Sequence, residues 1–346
     1  MTDAAVLAAR SQAESSAPPL LEARHLSKRY HFGKRLLPGS GKIVHAVDDV
    51  SLAVFPGETL GLVGESGCGK STLGRCLTRL YEISEGELLF EGREIGHVGA
   101  RQLKPYRRKV QMIFQDPSGS LNPRRRVADI LAQPLRVHGI RPRAEIDDRL
   151  RELMDLVGLP PGYLDRYPHE FSGGQRQRIG IARALAMEPQ LIVADEPVSA
   201  LDVSVQAQIV NLFADLRDQL ALTYVFIAHD LAVVRQVSTR IAVMYLGSIV
   251  ELGSTDTVYG RPAHPYTEAL LSAIPEPHAR QQCERIVLQG DLPSPISPPP
   301  GCRFHTRCPF ADDRCRTERP LLRPLDDGRS VACHYPRTEV SRTAGT

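Results

Sequence analysis

Gly64-Glu65-Ser66-Gly67-Cys68-Gly69-Lys70-Ser71 matches the phosphate-binding loop G-x-x-x-x-G-K-[ST] at every fixed position. The glycines of such a loop let the backbone curl, so that successive N–H groups point at a polyphosphate. The Lys70 ammonium supplies a charge for the β- and γ-phosphates. The Ser71 hydroxyl is the kind of oxygen ligand that Mg²⁺ prefers. The stretch therefore predicts a nucleotide site.

The residues on either side of the loop fit the context that such a site needs. Residues 58–63 are typical of a buried strand, and residues 71–81 show a helical pattern with Leu73 to Leu80 on one face. The phosphates would then meet a helix N-terminus, where unpaired N–H groups favour an anion. A glycine-rich turn that matches by accident is the alternative, and the order strand, loop, helix argues against it.

A second apolar run ends in two acids, Asp195 and Glu196, after residues 191–194. Apolar runs of this type are strands covered on both faces of a parallel sheet. The carboxyl ends of such strands line the crevice where ligands bind. Asp195 is therefore placed to hold Mg²⁺, directly or through water, and Glu196 to orient or deprotonate an attacking water. A strand that ends in acids at an ordinary turn is the weaker reading, given the loop upstream.

A third motif, Phe171-Ser172-Gly173-Gly174-Gln175, precedes another helical pattern. Ser172 is a typical N-cap residue, and the two glycines leave the amides of the helix start uncovered, which makes a second anion site. Together the three motifs resemble the ATP-binding subunit of an ABC transporter, where the pentapeptide usually begins with leucine. The resemblance implies a head-to-tail dimer, with each ATP held between the phosphate loop of one subunit and the 172–175 segment of the other.

The resemblance also assigns roles to residues along the chain. Gln115 would touch Mg²⁺ and the attacking water, His229 the γ-phosphate and Tyr30 the adenine, while Asp202 belongs to a loop that communicates across the dimer. The implied catalytic residues are Glu196, His229, Gln115 and Lys70, and the implied Mg²⁺ contacts are Ser71, Gln115 and Asp195. The implied ATP contacts are Tyr30, Gly64, Glu65, Ser66, Gly67, Cys68, Gly69, Lys70, Ser71, Thr72, Ser172, Gly173, Gly174, Gln175 and Asp202.

The composition limits the classes of function. Of the 346 residues, 24% are charged and 42% hydrophobic, which is typical of a soluble globular protein. A formal net charge of +3 is too small to indicate nucleic-acid binding. No apolar run reaches the roughly 18 residues that span a bilayer, and the apolar start at residues 4–9 lacks the basic region of a signal peptide. We expect a peripheral protein on the cytoplasmic face of the inner (plasma) membrane, attached through permeases.

The chain divides by composition into three expected parts. Residues 1–20 are rich in Ala, Ser and Pro and predict a disordered tail. Residues 21–260 are expected to form the ABC nucleotide-binding domain, with a helical subdomain over residues 116–184. The implied fold is α/β, a RecA-like parallel sheet plus an antiparallel β part. Residues 261–346 form a Pro/Cys-rich extension. Local patterns predict helices over 127–136 and 144–157 and a hairpin over 241–252.

The extension indicates the class of solute that the ATPase would help to transport. Its opening residues 261–267 and the proline segments 292–295 and 299–302 resemble the extension on ATPases of dipeptide, oligopeptide and nickel importers, and residues 193–205 resemble the second of their two ATPases. The resemblance implies an ATPase that powers import of di- or oligopeptides. Its partners would be a homologous second ATPase, two membrane permeases and an extracytoplasmic solute-binding protein. The alternative is that the same machinery imports nickel, glutathione or another small solute.

Two other classes of ABC ATPase fit the sequence less well. DNA-maintenance ATPases carry long coiled-coil or zinc insertions between the phosphate loop and the third motif, whereas residues 72–171 show no sustained heptads here. Translation-type ABC factors contain two ATPase units in one chain, and this chain has one copy of each motif. Neither class explains the Pro/Cys-rich extension.

Four of the seven cysteines, Cys302, Cys308, Cys315 and Cys333, cluster in the extension, and Cys283, also in the extension, lies outside their spacing. Disulfides are disfavoured in the cytoplasm, and four thiolates suit Zn²⁺ or an iron–sulfur cluster. The spacings match neither common zinc fingers nor bacterial ferredoxins, so zinc, iron–sulfur and four free thiols all stay open on spacing alone. The family resemblance favours a [4Fe-4S] cluster on these four cysteines. Zn²⁺ is the alternative cofactor, because His305 and His334 lie close enough in sequence to replace a ligand.

Overall fold

The computed structural model describes residues 18–32, 42–139, 142–274 and 286–337. Contacts between Cα atoms divide the chain into two units. Unit 1 contains Met1–Glu22, Leu52–Thr59 and Leu88–Phe226, and unit 2 contains Ala23–Ser51, Leu60–Glu87 and Ile227–Thr346. Residues 1–17 of the tail predicted to be disordered lie outside the described residues.

The strands within the described ranges follow the order of the chain. They are β1 Leu21–Phe32, β2 Lys42–Val54, β3 Thr59–Val63, β4 Glu85–Phe90, β5 Arg93–Glu94, β6 Val110–Ile113, β7 Leu191–Asp195, β8 Thr223–Ile227, β9 Arg240–Tyr245, β10 Ser248–Ser254, β11 Arg323–Pro324 and β12 Ser330–Val331.

The helices alternate with these strands. They are α1 Lys70–Leu77, α2 Lys104–Lys109, α3 Pro117–Ser120, α4 Val127–His138, α5 Arg143–Leu156, α6 Gly173–Leu185, α7 Val203–Leu220, α8 Leu231–Val237, α9 Thr255–Gly260, α10 Pro265–Ser272 and α11 Asp313–Thr317. Short 3₁₀ turns occupy Pro161–Asp165 and Pro168–Glu170.

Unit 2 is organised around a mixed sheet in the order β11-β12-β10-β9-β3. Strand β3 runs parallel to β9, with Leu60 opposite Arg240 and Val63 opposite Val243. Strands β9, β10, β12 and β11 pair antiparallel, which confirms the hairpin predicted over 241–252. All five residues of β3 are buried, as expected for a strand of a sheet that is covered on both faces. This strand delivers the chain directly into residues 64–69.

Helix α1 is shorter than its apolar pattern predicts. It ends at Leu77, with Thr78 as the C-cap, instead of continuing to residue 81. The next residue, Arg79, has φ +53°, a left-handed conformation that a helix cannot continue through. Leu73 and Leu77 are fully buried, whereas Leu80 is 51% exposed. The prediction that Leu80 shares the buried face is therefore wrong.

Unit 1 contains the strands β8, β7 and β6 as sheet neighbours. Strands β6 and β7 are parallel, with Val110 opposite Leu191 and Ile113 opposite Ala194. Helices α4 and α5 follow the predicted segments to within two residues at each end and pack on α6. Their apolar faces are buried; Leu131 and Met154 are fully inaccessible to solvent. Strand β7 lies within this core along its whole length, and Glu196 is the first residue after it.

A buried carboxylate attaches the start of the extension to unit 2. Glu251, on β10, has no exposed side-chain surface and pairs with Arg329 at 3.4 Å. Its oxygens accept the backbone N–H groups of Ala263 and His264 at 2.8 and 2.9 Å. These charge-assisted bonds to a buried carboxylate fix the chain just before α10 begins. In the part of the chain that the structure describes, no helix combines the length and apolarity needed to cross a bilayer.

Candidate active site

At two positions, the backbone of the phosphate loop has a conformation that only glycine can adopt. Gly64 has φ +152°, and a Cβ there would lie 2.2 Å from the carbonyl oxygen of Met244. Gly69 is the N-cap of α1 with φ +106°, and a Cβ there would lie 2.1 Å from the carbonyl oxygen of Ala46. Both positions combine a positive φ with a close backbone approach. The curl of the loop is therefore built in by these two residues.

Lys70 lies inside this curl. Its side chain is buried, and Nζ donates to the carbonyl oxygens of Gly64 at 2.7 Å and Glu65 at 3.0 Å. Ser71 and Thr72 follow, half-buried, in the first turn of α1. The ammonium, the loop amides and the helix start lie together in unit 2. This is the donor set that the phosphates of ATP require.

Tyr30 lies beside the start of α1 in the same unit. Its half-buried side chain is hydrogen-bonded to Thr72, and burial raises the pKa of its hydroxyl. Tyr81 approaches the ring edge-on at 6.2 Å between centroids, and Lys28 Nζ lies 5.1 Å from the ring centroid. Phe32, the neighbouring aromatic, is 58% exposed. The adenine-stacking role of Tyr30 stays a prediction.

His229 comes directly after Ala228, which is hydrogen-bonded to strand β3, the strand that leads into the phosphate loop. The Ala228 N–H donates to the Leu62 carbonyl on β3 at 3.2 Å. His229 itself is exposed. Unit 2 therefore holds both the phosphate loop and the histidine predicted to contact the γ-phosphate.

In unit 1, Gln115 and Glu196 contact each other although 81 residues separate them in sequence. Gln115 Nε2 donates to Glu196 Oε2 at 2.8 Å. Asp195, the last residue of β7, is buried, and Glu196 follows it with φ +47°. A left-handed non-glycine residue costs about 1–3 kcal/mol and is typical of functional sites. The structure thus brings together the two residues predicted to contact the attacking water, and their roles stay predictions.

The third motif forms a capped helix start. Ser172 Oγ accepts the Gln175 N–H at 3.3 Å, and Gln175 Oε1 accepts the Ser172 N–H at 3.0 Å. This reciprocal pair confirms Ser172 as the N-cap of α6. Gly174 is needed for packing, because a Cβ there would lie 2.5 Å from Cγ1 of Val205. The helix start therefore packs against the residues that follow Asp202.

Asp202 caps the neighbouring helix α7. Its Oδ1 accepts the Val205 N–H at 2.9 Å and the Ser204 hydroxyl at 2.8 Å. The backbone bond from Val205 is the main reason that the pKa of Asp202 is lowered. The 172–175 segment and the 199–202 loop are therefore neighbours in unit 1, joined through Val205.

Comparison with known proteins gives the same assignment. A family model described as "ABC transporter" matches residues 47–199, and one described as "Oligopeptide/dipeptide transporter, C-terminal region" matches residues 250–315. The oligopeptide transport ATP-binding protein AppF of Bacillus subtilis is 50% identical over 318 residues, covering 91% of this chain and 97% of that protein. YkfD of the same bacterium is 51% identical over 330 residues, covering 94% of this chain and 98% of that protein.

This chain belongs to the ABC transporter ATP-binding proteins. The dimeric ATP-binding cassette MJ0796, solved with ADP and phosphate, matches with a TM-score of 0.61 and 28% identity over 68% of this chain and 98% of that one. The cassette cbiO1 of Clostridium perfringens matches with the same TM-score and 25% identity over 70% of this chain and 92% of that one. The predicted ABC ATPase fold and ATPase activity are confirmed; the fold of the Pro/Cys-rich extension stays a prediction.

The iron–sulfur prediction for this ABC ATPase is wrong. Among the described residues, no group of three or more His, Cys, Asp or Glu side chains is placed to hold a metal ion, so neither [4Fe-4S] nor Zn²⁺ is supported. Cys302, Cys308, Cys315 and Cys333 are free thiols, and Cys283 lies outside the described residues.

Burial changes the acidity of these thiols. It raises the pKa of the Cys302 thiol to about 11 and also raises the pKa of the other three. His305 Nδ1 lies 2.8 Å from the Cys302 carbonyl and His334 Nε2 lies 2.9 Å from the Glu318 carbonyl. Both rings are therefore engaged with backbone oxygens.

Sequence reasoning missed two residues of the ABC ATPase that contact the phosphate loop. Tyr266 Oη accepts the Glu65 N–H at 2.8 Å, and Arg307 binds the Glu65 carboxylate. They lie 201 and 242 residues away from Glu65 along the chain. No local pattern signals such a pairing.

Proposed function

We propose that this chain is the ATP-hydrolysing subunit that powers import of di- or oligopeptides through a membrane ABC transporter. The observation that carries the proposal is the 50% identity with an oligopeptide transport ATP-binding protein over 91% of this chain. The match of residues 250–315 to an oligopeptide/dipeptide transporter region supports the same substrate class. These matches do not favour nickel, glutathione, DNA maintenance or translation.

The phosphate loop would bind the ATP polyphosphate through its amides. Lys70 Nζ, now 2.7 Å from the Gly64 carbonyl, would turn to the β- and γ-phosphates. Ser71, Gln115 and Asp195 are the residues that would hold Mg²⁺, which when bound neutralises phosphate charge during transfer. His229 would contact the γ-phosphate and Tyr30 the adenine.

Glu196 would act on the attacking water. Gln115, bonded to Glu196 at 2.8 Å, limits where the carboxylate can point. The water oxygen forms a bond to the γ-phosphorus as the bond from that phosphorus to the ADP oxygen breaks, and Glu196 accepts the water proton. Phosphoryl transfer needs mostly positioning and charge neutralisation from the protein. The arrangement in unit 1 supports this role for Glu196.

The partners would be a homologous second ATPase, two permeases and an extracytoplasmic solute-binding protein, with this chain peripheral on the cytoplasmic face of the membrane. Residues 172–175 would then close over ATP held by the partner ATPase.

Ser172→Arg should spare ATP binding at Lys70 and damage hydrolysis at the site whose phosphate loop lies on the partner, because the cation fills the space of that γ-phosphate. Site-resolved nucleotide trapping distinguishes the two sites; loss confined to this chain's own loop would refute the sandwich.

The proposal is tested by reconstituting the chain with its permeases and second ATPase in vesicles. Peptide delivered by the binding protein should stimulate ATP hydrolysis and accumulate in the vesicle compartment that corresponds to the cytoplasm. Nickel and reduced glutathione serve as competing substrates in the same assay. Hydrolysis that responds to either of these and not to peptide would overturn the peptide assignment.

A further inference from the structure

One residue of the phosphate loop is held from outside the loop, at both its side chain and its backbone. Arg307 donates to the Glu65 carboxylate with both terminal nitrogens, Nη1 to Oε2 at 2.6 Å and Nη2 to Oε1 at 3.0 Å. The Glu65 N–H donates to Tyr266 Oη at 2.8 Å. Both partners belong to the C-terminal segment of unit 2, and neither belongs to the motifs that define an ABC ATPase.

Arg307 is firmly placed. Its side chain is only 7% exposed, against 28% for Glu65. The hydrogen bond to Glu65 is the main reason that the pKa of Arg307 is raised. Backbone bonds from His305 to Cys302 and from Arg307 to Phe304 form the turn that carries it. A two-pronged pair with a buried guanidinium is the strongest form of this contact.

Tyr266 is held by an aromatic cluster. It is completely buried. Its ring packs edge-on against Tyr245 at 4.7 Å and in a tilted arrangement against Phe304 at 5.4 Å between centroids. Tyr245 in turn meets Phe304 at 5.2 Å and is the last residue of β9. The hydroxyl that accepts the Glu65 N–H is therefore fixed by packing.

The charge of Glu65 is the reason that its ion pair with Arg307 matters for nucleotide binding. A carboxylate in a loop that binds a polyphosphate repels that ligand unless a cation compensates it. Lys70 Nζ bonds the carbonyl oxygen of Glu65, not its carboxylate. Among the described residues, the ion pair of the Glu65 carboxylate is with Arg307.

We propose that Arg307 and Tyr266 are positioning residues for ATP binding. Arg307 cancels the Glu65 charge and holds its side chain, while Tyr266 fixes its peptide group, so the loop keeps the curl that receives phosphate. The C-terminal segment thereby becomes part of the nucleotide site of its own subunit. This inference rests on the proposed function of the loop in binding ATP.

The test compares the affinity of full-length variants for a fluorescent ATP analogue in the presence of Mg²⁺. Arg307→Gln should weaken binding about tenfold, because it leaves the Glu65 carboxylate uncompensated. Glu65→Gln should bind about threefold more tightly than the parent. The double variant should recover most of the loss, because it removes both charges. Tyr266→Phe, which keeps the ring, should weaken binding severalfold through the unpartnered N–H.

Arg314→Gln is the matched control. It removes the same charge from the same segment, but Arg314 pairs with Glu318 at 2.8 Å and has no contact with the loop in the described structure. Its affinity should equal that of the parent.

Three results would overturn the inference: parental affinity in Arg307→Gln, a double variant as weak as Arg307→Gln, or equal losses in Arg307→Gln and the control. Should Arg307→Gln fail to fold, Glu65→Gln decides alone, since weaker binding in that variant contradicts the charge argument. A parent protein that does not bind the analogue would instead refute the proposed function.

Discussion

The phosphate loop and the cysteine segment 302–315 both lie in unit 2. The sequence predicted nucleotide binding by the loop correctly, whereas the metal cluster that it predicted for the cysteine segment was wrong. In the loop, the donors are backbone amides and one adjacent lysine, and the curl follows from Gly64 and Gly69 at their own positions. In the cysteine segment, a metal site would need several thiolates from distant positions to converge. Spacing does not determine that convergence, and the described thiols form no metal-binding group. Contiguous backbone motifs are therefore safer predictors of function than dispersed side chains.

The structure gives the cysteine segment a packing role in place of the metal-binding role that its sequence predicted. Phe304 is almost fully buried between Tyr245 and Tyr266, and Arg307 reaches Glu65. The packing of the segment therefore uses one large aromatic side chain and a charged pair. Four measurements test this contrast.

The largest effect is expected at the acid after β7. Glu196→Gln should slow ATP hydrolysis in the assembled complex by about 10²–10⁴-fold and leave ATP binding intact, because a water-positioning group typically contributes that factor. Glu188→Gln is the control, since Glu188 also has a left-handed φ of +51° in unit 1 but follows no active-site strand. Steady-state phosphate release and equilibrium ATP binding are the measurements. Parental turnover in Glu196→Gln would remove Glu196 from its role.

Phe304→Ala should be the most destabilising change in the cysteine segment. Removing a buried phenylalanine typically costs about 3–5 kcal/mol, and Phe304 is only 1% exposed. Phe310→Ala should cost less than about 1 kcal/mol, because Phe310 is 53% exposed and contacts the Arg337 guanidinium at 4.9 Å. Urea unfolding of both variants measures the difference. Equal midpoints would show that the segment has no packed core.

Gly64→Ala should weaken ATP binding more than tenfold. The new Cβ would lie 2.2 Å from the Met244 carbonyl and 2.9 Å from the Cys68 sulfur, so the backbone of the loop must shift. Gly99→Ala is the control, because a Cβ at Gly99 meets nothing within 4 Å. Titration with a fluorescent ATP analogue compares the two. Parental affinity in Gly64→Ala would show that the curl is not what binds phosphate.

The smallest effect concerns pH. Burial lowers the pKa of His264 from 6.5 to about 3, so the folded protein holds this side chain neutral. Below pH 6.5 the unfolded chain gains a proton that the folded chain excludes, so the stabilising contribution of neutral His264 is present above 6.5 and is lost progressively towards about pH 3. The slope is at most about 1.4 kcal/mol per pH unit.

The variant His264→Asn tests this assignment. Asparagine removes the titration but keeps an acceptor for the Tyr266 N–H, which His264 Nδ1 receives at 3.0 Å. Thermal unfolding between pH 7.5 and pH 5 should therefore depend less on pH in the variant than in the parent. Identical pH profiles would assign the acid sensitivity to other groups.

Local elements were predictable because they depend on residues a few positions apart. Ser172 and Gln175 form the reciprocal cap of α6, and the apolar run that ends at Asp195 is a strand. The end of α1 was not predictable from apolar spacing, because the left-handed Arg79 stops the helix and leaves Leu80 exposed. Periodicity reports which side chains suit a helix and does not report where a backbone leaves it.

The sequence alone was sufficient to predict the curl of the phosphate loop, the acids at the end of β7 and the ABC transporter family. Each of these follows from short motifs whose residues are contiguous in the chain. The three-dimensional structure was needed to show that the described cysteines form no metal-binding group, that Gln115 contacts Glu196 and that Arg307 holds Glu65 across 242 residues. Such outcomes depend on the packing of each unit, because the fold sets which distant side chains come within contact distance.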